Sequence, residues 1–194
     1  MTGISDGFLL TIAQIAATLI GLLLVGALFF AETGLRQLGR SAPAAASYFS
    51  SGTLFVLSLY FLVLAMALAL VVVDLPWARL LFVLLTFEVA AALVMFTLRA
   101  RSLSRAQPTL LHPISPWLPW PAAVIGLAVP WLAGGLAPDA GAFVAALLVL
   151  GSLAFVATAG LVLSTFQLVR LPENAEPEPE PARETSPATE PSGG

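Results

Sequence analysis

Four stretches of about 20 residues or more, almost free of charge, constrain this chain more than any other feature. A hydrocarbon core about 30 Å thick is crossed by roughly 20 apolar residues rising 1.5 Å each. Residues 8–30, 54–73 and 142–169 carry no charge, and residues 80–98 carry only Glu88. A soluble domain would hold charge on about a quarter of its residues. Here 10% are charged and 59% hydrophobic, which makes a soluble helical bundle a poor alternative. A fifth apolar stretch, 118–136, is also uncharged but contains Pro119, Pro121 and Pro130.

The expected fold is therefore all-α: a polytopic transmembrane bundle of five helices. Its spans fall at about 8–30, 52–73, 78–98, 118–136 and 142–169 within a domain of residues 1–171. Orientation follows from the arginines, because the chain has no lysine. Arg36 and Arg40 separate the first and second spans, Arg99, Arg101 and Arg105 separate the third and fourth, and Arg170 follows the fifth. Five crossings put all six on one side, which the positive-inside rule makes cytoplasmic. The N-terminus is then outside and the C-terminus inside, in a multi-pass protein of the cell membrane. Four crossings would set Arg170 against one of the other clusters. The residues before the first span, MTGISDG, include no basic side chain. That span accordingly reads as retained, not as a cleaved signal.

Between the spans the connections differ. Ser41 before Ala42 and Pro43 reads as an N-cap that starts the second helix near Ala42. Asp74-Leu75-Pro76-Trp77 reads as a tight external turn, and GGLAPDAG as a second one. The basic loop from Arg99 to Trp117 is expected to lie on anionic headgroups. Residues 172–194 are different in kind, with six glutamates, six prolines and no large hydrophobic residue. Such a segment cannot bury enough surface to offset chain entropy. It is expected to be a disordered cytoplasmic tail.

Glu88 is the sharpest functional clue. It lies near the middle of the third span, where a charged side chain costs about 2.5–3.5 kcal/mol on insertion scales. None of the five apolar stretches offers a basic partner, so it is expected to face the bundle interior. Its candidate partners are Gln14 and Thr18 on the first span, Ser58 and Tyr60 on the second, and Ser152 and Thr158 on the fifth. Thr11, Gln14 and Thr18 share one helical face, expected to point inward. Ala13, Ala17 and Gly21 form a neighbouring small-residue stripe, suited to close helix packing. Pro130 frees the carbonyl of Gly126 and predicts a kink or break in the fourth helix.

Glu88, Gln14 and Thr18 thus form the candidate intramembrane polar site. No catalytic, cofactor-binding or metal-binding residue is assigned. A lone carboxylate without a base is a poor catalytic set, and one histidine with no cysteine excludes a His/Cys metal site. No phosphate loop or nucleophile elbow occurs, and the basic loop lacks the aromatics a nucleic-acid surface would use. The expected role is a non-enzymatic structural or regulatory membrane component, with the bilayer and a homo-oligomer or another membrane protein as partners. The alternative is a small proton- or cation-conducting channel or transporter using Glu88.

Overall fold

A computed structural model describes residues 6–30, 32, 42–106, 119–135 and 137–170. Its elements are five helices: α1 (Asp6–Phe29), α2 (Ala42–Val72), α3 (Leu75–Ala106), α4 (Pro119–Gly134) and α5 (Ala140–Arg170). Four of them contain spans long and apolar enough to cross a membrane, at Asp6–Phe29, Ala46–Val72, Leu75–Ser102 and Ala140–Leu163. The chain has the helices of an integral membrane protein. The expectations for Ser41, the loop at 107–118 and the tail at 172–194 lie outside the described residues.

α2 is the centre of the bundle, and α1, α3 and α5 pack extensively against it, while α4 packs on α5. Its inward side chains are large: Phe55, Leu59, Tyr60, Leu62 and Met66 are fully buried. α3 answers with Phe82, Leu85 and Val89, and α5 with Phe143, Leu147 and Leu150. Phe82 and Phe143 meet edge-on at 5.3 Å, a favoured aromatic geometry.

Contacts between helices fix the vertical register. Leaving Val72, the chain turns within Val73 and Asp74 and enters α3, so the end of α2 and the start of α3 share one end of the bundle, here called the upper end. The Asp74 carbonyl accepts from the Trp77 and Ala78 amides at 3.0 and 3.1 Å. The turn is thus shorter than the expected Asp74–Trp77, because Leu75, Pro76 and Trp77 already form the first helical turn, where proline is tolerated. Phe30, just past α1, packs its ring at 4.1 Å on that of Phe49 near the start of α2. α1 therefore starts at the upper end and finishes at the lower one.

Only 16 residues long, α4 is about 24 Å, shorter than the hydrocarbon core. It nevertheless reaches from one level of the bundle to the other. Near its start, Trp120 donates its indole N–H to Thr97 Oγ1 at 2.8 Å. Beyond its end, Pro138 O accepts two bonds from Arg79, 3.1 Å from Nε and 2.8 Å from Nη2. Arg79 and Thr97 stand about 27 Å apart along α3. The helix continues through Pro130 without interruption, so of the kink or break expected there the break does not occur. Gly126, whose carbonyl the proline releases, is where α4 comes close to α5. A Cβ there would lie 2.6 Å from Leu150 Cδ2.

Candidate functional site

The three residues of the expected polar site all lie on the outside of the bundle. Gln14, Thr18 and Glu88 are exposed, and the inward orientation expected for Glu88 and for the polar face of α1 is not what the structure has. Its physical reason is packing. α1 touches the bundle through Leu9, Ala13, Ala16 and Leu23, on a different face from Gln14 and Thr18. Apolar side chains gain no hydrophobic drive for association in lipid, so polarity alone does not decide which face turns inward. The fit of small alanines against the bulky α2 does. The small-residue stripe divides accordingly, with Ala13 buried and Ala17 and Gly21 exposed.

The hydroxyls expected to serve Glu88 are used elsewhere. Ser58 is buried and donates to Phe55 O at 2.8 Å. Ser152 is exposed and donates to Leu148 O at 2.8 Å. Thr158 donates to Ala154 O at 2.7 Å. Its oxygen is 3.2 Å from Tyr60 Oη, and since the Thr158 proton is already committed, Tyr60 is the donor. That bond joins α2 to α5 with both hydroxyl protons used. Thr97 follows the same logic, giving its proton to Leu93 O at 2.8 Å while accepting from Trp120. Tryptophan favours the headgroup boundary, but a tryptophan–threonine bond between helices has no signature in spacing.

The Glu88 carboxyl has no hydrogen bond or ion pair with any described residue, and neither does the Gln14 side-chain amide. Thr18 donates to the Gln14 backbone carbonyl at 2.9 Å, which leaves its oxygen able to accept. Depth makes these residues notable. Glu88 stands at the middle of the Leu75–Ser102 span and Thr18 at the middle of Asp6–Phe29. Gln14 is one turn nearer the upper end. Around Glu88 the exposed surface of α3 includes Leu84, Phe87, Ala91 and Met95.

A cleft of about 390 Å³ opens between α1 and α5, with Tyr60 and Val63 of α2 at its floor. Ile12, Ile15, Leu19, Leu148, Ser152 and Phe155 are among its walls. It is mostly apolar, and Glu88, Gln14 and Thr18 are not part of it. Among the described residues, Thr18 and Gln14 are joined along α1, and neither they nor Glu88 line this cleft. No protein-family model, characterised protein or solved structure matches this chain.

Proposed function

We propose that this chain is a non-enzymatic component of the cell membrane whose role is carried by lateral association with other transmembrane helices. One observation supports this above the others: Glu88 lies at the centre of a span, on the outer surface of the bundle, without a partner among the described residues. A polar group left unsatisfied in hydrocarbon costs several kcal/mol. A second protein surface covering Glu88 relieves that cost, and lipid tails cannot. The exposed Gln14 and Thr18 add a second outward polar surface.

Arginine placement supports an orientation. Arg99, Arg101 and Arg105 lie in the lower part of α3 and Arg170 at the lower end of α5, and the connection bearing Arg36 and Arg40 leaves α1 at that same end. By the positive-inside rule the lower end is cytoplasmic, with the start of α1 outside. A conduction pathway gains less support. The buried hydroxyls of Ser51, Ser58 and Thr97 bond within their own helices, while the Glu88 carboxyl and the Gln14 amide face outward.

The reading is tested by mass in mild detergent. The wild-type chain should elute in a complex larger than one 20.2 kDa copy plus its micelle. Glu88→Gln should keep that complex, since an amide retains the shape and hydrogen-bonding capacity of the carboxyl. Glu88→Leu should weaken it while leaving the fold intact, because the Glu88 carboxyl bonds to no described residue of its own chain. A wild-type protein that is strictly monomeric, with no membrane protein accompanying it, would reject lateral association.

A further inference from the structure

We propose that Glu88 is covered by a second copy of this chain, through a head-to-tail pairing of α3 in one copy with α1 in the next. This rests on lateral association as the function and names its partner. Two exposed stripes carry the inference. On α1 the residues Gln14, Thr18, Gly21 and Val25 are exposed, and on α3 so are Leu84, Glu88, Ala91 and Met95. Both sets follow the same spacing, i, i+4, i+7 and i+11, which is the seam of a left-handed helix pair.

Depths match as well. α1 begins at Asp6 and α3 at Leu75, and internal contacts set these two starts at nearly the same level. At 1.5 Å per residue, Phe30 lies about 36 Å below Asp6 and Phe49 about 35 Å below Val72. Those two rings touch, so Asp6 lies within about one helical turn of the level of Val72, and hence of Leu75 across the turn. Gln14 then lies about 12 Å below the start of its helix and Leu84 about 14 Å below the start of its own. The equal spacing carries that small offset down both stripes. Both helices run from the upper end to the lower, and two copies inserted with the same topology keep them parallel. Within that window the pairing of polar with polar and small with small selects one register: Gln14 with Leu84, Thr18 with Glu88, Gly21 with Ala91, Val25 with Met95.

The chemistry is complementary at the polar layers. Helical side chains lean toward the helix N-terminus, so Glu88 leans upward from the Thr18 level toward Gln14. There the Gln14 amide can donate to the carboxyl, and Thr18 Oγ1, whose proton is given to the Gln14 carbonyl, can accept from it when it is protonated. One layer below, nothing stands within 4 Å of a Cβ built on Gly21. Gly21 against Ala91 lets the two backbones approach, which brings the polar layer into hydrogen-bonding range. The alternative, Glu88 against Glu88 about a two-fold axis, would set two carboxyls together and leave Gln14 in lipid. A contact between different faces of identical copies gives a ring if it closes and a row if it does not.

The cysteine-free sequence makes the test direct. Gly21→Cys and Ala91→Cys leave the polar residues untouched. Co-expressed in membranes and oxidised, the two variants should form a disulfide-linked mixed dimer, each alone should stay monomeric, and the double variant should give species larger than a dimer. Adding Glu88→Leu to the Ala91→Cys chain should cut the mixed dimer by about threefold or more. Dimers of Ala91→Cys alone would overturn the head-to-tail arrangement in favour of a two-fold one. A benzophenone attached at Ala91→Cys separates the remaining outcomes. Adducts on α1 of another copy support the pairing. Adducts on a different protein overturn self-association and leave lateral association standing. Adducts on lipid alone overturn both.

Discussion

Ser51, Ser58, Thr86 and Thr97 each donate to a carbonyl three or four residues earlier in their own helix. A hydroxyl treated this way can sit in an apolar bundle at little cost. Thr53 differs: its Oγ1 is buried without a hydrogen-bond partner among the described residues. An unsatisfied buried hydroxyl costs about 1–3 kcal/mol, and a methyl of the same shape costs nothing of the kind. Thr53→Val should therefore leave the detergent melting temperature unchanged or raise it, whereas Ser58→Ala should change it little. A clear loss of stability in Thr53→Val would reveal a bonded partner for that oxygen. Glu88 was legible from sequence as an anomaly, since one acid in a span of apolar residues is visible at once. Its direction was not legible. An inward orientation assumes that a polar side chain is satisfied inside its own chain, and in a membrane a neighbouring molecule can serve as well.

At the level of elements the apolar runs located all five helices, because a segment in lipid must satisfy its backbone internally. Their ends were harder to read. α3 continues to Ala106 and α5 to Arg170, past the apolar stretches, because a helix need not end where lipid ends. Asp139, exposed in the turn after α4, starts α5 as its N-cap, with Oδ1 accepting from the Ala142 amide at 2.8 Å. Contacts between elements had weaker signals still. Gly126 reads in sequence as one glycine among 15, yet it is where α4 meets α5. A Cβ would clash with Leu150 at 2.6 and 3.0 Å and press on Val149 Cγ1 at 3.3 Å. Leu150 is fully buried and cannot swing away, so Gly126→Ala should destabilise by about 1–3 kcal/mol through overpacking. Ala at Gly21, where nothing lies within 4 Å, is the control, and it should leave the melting temperature of the monomeric bundle unchanged. Equal behaviour of the two variants would mean that α4 does not seat on α5 at Gly126.

For the whole molecule, the short α4 decides the topology. If it crosses, the chain passes five times and its two ends lie on opposite sides; if it lies in one leaflet, the count is four. Bonds at its two ends favour crossing. Trp120 is tied to Thr97 in the lower part of α3, and the connection after α4 is tied at Pro138 to Arg79 near the top. The shortfall between about 24 Å of helix and about 30 Å of hydrocarbon is modest, and a bilayer adjusts to it at fractions of a kcal/mol per Å. Reporters that function only outside should accordingly be active when fused at the N-terminus, near Pro76 and near Asp139. Reporters that function only in the cytoplasm should be active near Arg40, near Arg105 and at the C-terminus. The Asp139 and C-terminal fusions carry the decision, since four crossings would exchange the side of both relative to Arg105. Finding Asp139 and Arg105 on the same side would place α4 within a single leaflet and remove the opposition of the two chain ends.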